Sequence, residues 1–364
     1  MIQTRGDIMY DITIVGAGPA GSTLAKLLGS KYKILVIEKR NLEYYSKGNN
    51  REKCCGGLLA PDAQYMIAKM GLGIPKDILV DPQLFAVRTI DLNNNIERYY
   101  QRFYFNMDRE KFDRWLVSQI PKEVDLRFNS VFKSFTPIDN GYEIRFSHNK
   151  QEYVERTKVL IGADGGNSLI RGQAFSNHLF PKNYISIQEW YETKSEMPYF
   201  TAIFDKNITD FYSWIIPKNG YILLGGAFDI GKEANEKFQL LKMKLQKREF
   251  QFGKRIKREG AFIYRPTSLK ALLHGKDNIA LVGEAAGSIS PSSAEGFSYA
   301  LKSALYLAQS LESGIDGFLN RYKNKLRKLK ANILLKNLKS PAMYNTFLRR
   351  LAMKSGIQSI KVEN

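Results

Sequence analysis

Residues 11–40 read DITIVGAGPAGSTLAKLLGSKYKILVIEKR, and this stretch decides the fold. Ile12, Ile14 and Val15 make a short β-branched run. Gly16, Gly18 and Gly21 follow as G-x-G-x-x-G, and residues 22–28 favour helix. Residues 33–37 form a second apolar run that stops at Glu38. Strand, tight turn, helix, strand and acid thus stand in the register of a dinucleotide-binding βαβ unit. Gly16 permits the turn, Gly18 lets the backbone approach a pyrophosphate, and Gly21 lets the helix pack on the strand. The helix N-terminus offers unpaired N–H groups and a partial positive charge to phosphate. Glu38 sits where a carboxylate accepts ribose hydroxyls.

The 364-residue chain has room for two lobes. Apolar and charged contents of 44% and 25% fit a globular, cytoplasmic protein. No apolar run approaches the roughly 18–20 residues of a membrane span. Residues 1–11 lack the apolar segment of a signal peptide, and Met9 reads as a candidate start, which would make residues 1–8 a dispensable leader. The only cysteines, Cys54 and Cys55, are adjacent, which argues against a structural disulfide and for a reducing compartment. His148, His178 and His274 show no metal-ligand spacing; they are expected at the surface or in loops, and no metal site is expected. The net charge of +19 is uneven: from Arg321 to Asn364 twelve Lys or Arg stand against one acid, Glu363. Such a tail suits an anionic membrane surface or an acidic substrate, or is simply a solvated face. No RNA- or DNA-binding motif is present, so no nucleic-acid partner is expected.

Along the chain, residues 41–50 read as a polar loop and 61–70 as a helix. Residues 84–90 and 97–105 form a hairpin of a second sheet. Phe112, Trp115 and Leu116 recur at helical spacing behind Asp108. Four short strands are expected over 124–157, a buried strand at 159–161, and alternating strands rich in Tyr, Trp and Ile over 184–228. A long helix at 232–250 and a buried strand at 279–282 follow. Phe318, Tyr322, Leu326, Leu329 and Ile333 mark an amphipathic C-terminal helix, which Pro341 is expected to interrupt before a second basic helix.

Three apolar strands end in glycine plus an acid: Gly16–Gly21 with Glu38, residues 162–166 with Asp164, and residues 283–287 with Glu284. In an open parallel sheet ligands bind beyond the carboxyl ends of the strands, so three such ends suit an extended ligand. Asp164 reads equally as a cap of the following helix. With GAGPAGS (16–22), DREKFDRWL (108–116), GADG (162–165) and GEAAGSISPSSAEG (283–296) in this order, residues 9–310 resemble the FAD-dependent family of geranylgeranyl reductases, aromatic-ring hydroxylases and flavin-dependent halogenases. Residues 53–57 (KCCGG) match the K-x-C-G-G of the geranylgeranyl-reductase branch. Tyr212, Trp214 and Pro217 match its Y-x-W-x-F-P, and Gly287 replaces the histidine of many hydroxylases.

The resemblance implies an α/β protein. A Rossmann-like, three-layer FAD-binding domain would span 9–80, 104–176 and 276–310, and an antiparallel-sheet substrate domain 81–103 and 177–275. A basic helical region would occupy 311–364. It implies FAD contacts from Ala20, Glu38, Arg109, Glu284, Gly296 and Phe297, a backbone contact of Val131 to adenine, and Cys55 and Gly56 near the isoalloxazine. Cys55 is the candidate reactive group, although no catalytic residue is assigned. Glu284 departs from the family's usual aspartate by one methylene.

Flavin would carry the redox chemistry, with NAD(P)H or another electron donor as a transient reductant. No second G-x-G-x-x-G with a following acid exists to bind one permanently. The expected reaction is reduction of a carbon–carbon double bond in a small apolar, isoprenoid-like substrate, walled by Trp190, Tyr212 and Trp214. The alternatives are a monooxygenase acting on an aromatic or polyketide-like substrate, a halogenase, and a non-enzymatic basic module binding membrane or nucleic acid. The basic C-terminus is a candidate contact with an anionic membrane.

Overall fold

The computed structural model describes residues 3–43, 53–175, 182–194 and 197–363. The chain divides into two compact units, each assembled from three segments: 1–52, 110–181 and 266–334 in the first, and 53–109, 182–265 and 335–364 in the second. Residues 53–80 therefore group with the second unit, and the C-terminal region is shared between both.

In the first unit, strands Ile279–Leu281, Gln151–Gly162, Gln3–Val15, Ile34–Ile37 and Asp125–Arg127 lie side by side in parallel. The apolar runs are continuous because both faces of this sheet are covered. Ile12, Ile14, Ile34 and Val36 enter one core, whereas Val15, Leu35, Ile37 and Leu160 enter another. The runs at 152–157 and 159–161 are one strand. Its first half pairs antiparallel with Gly141–His148, which in turn pairs with Ser130–Ile138.

Helices Pro19–Leu28 and Phe297–Leu311 contribute Leu24, Leu28, Leu307 and Leu311 to the first core, together with the whole stripe from Phe318 to Ile333. The helix bearing that stripe is not continuous. Phe318–Lys325 gives way to Arg327–Tyr344, and Pro341 lies inside the latter rather than ending it. A proline in the last turn removes one N–H bond only. The break comes instead at Asn345, whose side chain accepts from the N–H groups of Phe347 and Leu348, both at 3.0 Å, to start Thr346–Ser355.

His274 lies in a loop, one of the two expected settings, but not at the surface. It is 4% exposed, its Nε2 lies 3.2 Å from Ser288 Oγ, and burial beside Lys330 and Arg171 pushes its pKa down to about 3. The core around it is deep enough to hold a neutral imidazole. His148 is half-buried, with Nδ1 2.8 Å from Ser130 Oγ. His178 and most of the loop expected at 41–50 lie outside the described residues.

The second unit is built on a nine-stranded sheet that is antiparallel throughout its main path, except where Tyr199–Phe204 runs parallel to Leu84–Asp91. The expected hairpin is the pair Leu84–Asp91 and Ile96–Asn106. Ile187, Tyr191, Ile215, Leu224 and Phe228 point one way, onto Phe238, Leu241 and Leu245 of helix Ala234–Gln246. Strand alternation sends Ser186, Gln188, Trp190, Trp214 and Ile216 to the opposite face.

Candidate functional site

In the first unit the glycine-rich turn is fixed by its own backbone. Gly16 has φ +102°, and a Cβ there would stand 2.5 Å from the Ala163 carbonyl oxygen. A Cβ on Gly21 would stand 1.8 Å from the Gly16 oxygen. Gly18 differs, because a Cβ there would meet nothing within 4 Å. It is the N-cap of Pro19–Leu28, so the N–H groups of Ala20 and Gly21 have no acceptor within the helix.

Glu38 is 4% exposed. Its Oε2 accepts from Ala17 N–H at 2.7 Å, and its Oε1 accepts from the N–H and Nε of Arg40 at 2.9 and 3.1 Å. Arg40 also reaches Asp113 at 2.7 Å. The acid read as a ribose ligand thus also orders the turn. Nothing in the spacing of Arg40 or Asp113 from Glu38 distinguishes them in the sequence from surface charges. Ser130 N–H donates to the Glu38 carbonyl at 2.9 Å, which puts Val131, 39% exposed, one residue from that strand end.

Asp164 does cap a helix: its Oδ2 accepts from Leu169 N–H at 2.9 Å. Its Oδ1 is buried without a hydrogen-bond partner, and burial raises the carboxyl above its ordinary range. The third loop closes on the other two. A Cβ on Gly166 would stand 3.0 Å from Glu284 Oε1, and one on Gly283 would stand 3.3 Å from Ala20 Cβ. Gly296 starts helix Phe297–Leu311, and Phe297 packs edge-on against Phe112 at 5.4 Å. The first unit therefore brings together Gly16, Gly18, Ala20, Gly21, Glu38, Val131, Asp164, Glu284, Gly296 and Phe297. Arg109, Cys55 and Gly56 belong to the second unit.

There the turn at residues 54–57 lies on the sheet face opposite helix Ala234–Gln246. Cys54 Sγ is 3.9 Å from Ser186 Oγ, and a Cβ on Gly56 would stand 2.6 Å from Ile216 Cδ1. Burial, reinforced by Glu259, pushes the Cys54 thiol up to about 12, which makes it a poor nucleophile. Gly57 N–H donates to Cys55 Sγ at 3.4 Å.

Lys218 spans the turn from the strand. Its Nζ donates to the Met107 and Gly57 carbonyls at 2.8 and 3.1 Å, and complete burial lowers its pKa to about 7. Its only sequence signal was its place after Pro217. Trp190 Nε1 donates to Glu259 Oε2 at 3.0 Å, and the Tyr212 and Trp214 rings are 5.4 Å apart.

Trp214 and Gln188 flank Gly225 in register. A Cβ on Gly225 would stand 2.3 Å from Trp214 Nε1, so glycine there lets the indole lie on the strand. Trp214 Nε1 and Gln188 Oε1 are both buried without a partner. No sequence pattern pointed to Gln188.

No family model matches the chain. Protein CbrA of Escherichia coli (strain K12) is 38% identical over 354 residues, covering 96% of this chain and 98% of that protein. Among solved structures, a geranylgeranyl bacteriochlorophyll reductase-like protein from Thermoplasma acidophilum superposes with a TM-score of 0.77 at 20% identity, covering 96% of this chain and 91% of that one. A triple mutant of the flavin-dependent brominase Bmp2 gives 0.72 at 18% identity, covering 95% and 93%. The fold is thus the one that these two structures share, and the chain belongs to the CbrA protein family.

Proposed function

We propose that the chain is an FAD-dependent oxidoreductase that reduces a carbon–carbon double bond in an apolar, isoprenoid-like substrate. The carrying observation is the open floor at Gly18, framed by two glycines that the protein itself fills and by the unpartnered Asp164 Oδ1. The first unit's residues fit FAD. The Gly18–Gly21 amides suit its pyrophosphate, Glu38 and Val131 its adenosine, and Asp164, Glu284, Gly296 and Phe297 the remaining length. Arg109, Cys55 and Gly56 are the second unit's candidates. Bound FAD would supply the hydride, and NAD(P)H or another carrier would reload it.

The chain's own part is orientation and exclusion of water. Trp214, Tyr212 and Ile216 offer an apolar wall. Trp214 Nε1 and Gln188 Oε1 add one donor and one acceptor, which suit a substrate bearing a hydroxyl. The two motifs that resemble the reductase branch are physically coupled through Lys218 on Gly57 and Ile216 beneath Gly56, which favours reduction over oxygenation. The test mixes dithionite-reduced, FAD-loaded protein with geranylgeranyl lipids anaerobically, where flavin reoxidation with a saturated product is expected. No reoxidation there, together with aromatic-stimulated O₂ consumption, would establish a monooxygenase instead.

A further inference from the structure

Helix Thr346–Ser355 wears its polarity outward-in. On Thr346–Ser355 the charged residue Arg349 faces the protein and is 4% exposed, bonding Asp91 at 2.7 and 3.0 Å. Phe347, Leu348 and Leu351 face outward at 65%, 41% and 52% exposure. A helix on a protein surface normally does the reverse. Leu338 of the preceding helix and Ile357 just after this one extend the apolar surface at 70% and 72%.

The orientation is imposed rather than adopted loosely. Asn345 caps the first turn, Asn94 Nδ2 donates to the Thr346 carbonyl at 3.0 Å, and Arg98 Nε donates to the Met353 carbonyl at 3.0 Å. Lys339, Arg350 and Lys354 are exposed around the apolar residues. No acid occurs between Asp316 and Glu363.

We propose that this face docks on an anionic lipid surface, with Phe347 and Leu351 entering the headgroup–acyl boundary and the flanking cations meeting lipid phosphates. The charge pattern selects this occupant. A second copy of the chain would bring the same +19 net charge and the same acid-free segment to the face, whereas an anionic leaflet complements it. The proposal is independent of the flavin reading, because it needs only the second unit's exposed residues.

The test is sedimentation of the FAD-loaded full chain with vesicles of phosphatidylcholine alone or mixed equally with phosphatidylglycerol. Binding to the mixed vesicles only, weakened by salt, is expected. In Phe347→Glu/Leu351→Glu the partition coefficient should fall at least about tenfold, with an unchanged thermal melt since both side chains are exposed. Arg350→Glu/Lys354→Glu should lose the preference for anionic vesicles. Equal binding by wild type and the apolar double variant, or no binding by wild type, overturns the proposal. So does a wild-type dimer in light scattering that Phe347→Glu/Leu351→Glu converts to monomer, which would make the face a self-interface.

Discussion

The glycine turn of the first unit and the open sheet face of the second are organised oppositely. Around Gly16 and Gly21 the backbone itself fills the space where a side chain would go, and Glu38 has donors on both oxygens. On the face bearing Trp214 and Gln188, a buried donor and a buried acceptor have no partner at all. One region fills its own space with backbone and leaves the Gly18 floor open, although Thr13 Oγ1, Thr23 Oγ1 and Asp164 Oδ1 are buried there without a hydrogen-bond partner. The other leaves polar atoms unsatisfied, at a cost that ordinary packing sites do not carry. Backbone shape distinguishes the glycine turn, whereas unpaired side-chain atoms distinguish the sheet face.

The largest effect that sharpens this contrast is expected at Gly21. Gly21→Ala should destabilise the protein by about 3–5 kcal/mol and abolish flavin binding, because its methyl cannot avoid the Gly16 carbonyl. Gly18→Ala should melt within about 2 °C of wild type yet bind FAD about tenfold more weakly, or roughly 1.4 kcal/mol. Thermal melts with flavin fluorescence titration separate the two; identical behaviour of both variants would break the distinction between structural and ligand-facing glycines.

Lys218 is next. Its amine is neutral in the folded protein above about pH 7 but protonated in the unfolded chain up to its ordinary 10.5. Between these values the unfolded state binds more protons, so the amine's contribution to stability grows as pH rises and is lost as pH falls toward 7. Urea titrations should therefore show wild type gaining stability relative to Lys218→Met as pH rises from 7, until at the alkaline end the variant, whose two carbonyls have lost their donor, is the less stable by about 1–3 kcal/mol. A pH-independent difference would mean that the amine stays charged.

The smallest stability effect is expected at Trp214. Trp214→Phe removes an N–H that bonds nothing in the protein, so stability should change by less than about 1 kcal/mol. The substrate KM should nevertheless rise about tenfold with the flavin spectrum unchanged. An unaltered KM would remove Trp214 from substrate recognition.

The sequence made the first region legible because steric necessity writes itself as glycine at fixed spacing, and because a sheet covered on both faces writes itself as unbroken apolar runs. Gln188 was invisible: its neighbours in space, Gly225 and Trp214, are set by strand register across distant segments. Lys218 was visible only as a residue after a motif, since its two carbonyl partners come from other parts of the chain. His274 is the loop residue it looked like, but local composition says nothing about the helices Phe318–Lys325 and Arg327–Tyr344 arriving to bury it. Pro341 misled for a related reason: its effect depends on how close the helix end lies, and that end is set by Asn345.

The interleaving of segments has a consequence for biosynthesis. Asp91 and its partner Arg349 are 258 positions apart, and the second unit's third segment begins only at residue 335. The early hairpin must therefore wait, with a carboxylate destined for complete burial still without Arg349, until that residue has been made. Trimming the C-terminal helices would not remove an appendage but would withdraw the keystone on which the earliest strands of that sheet depend.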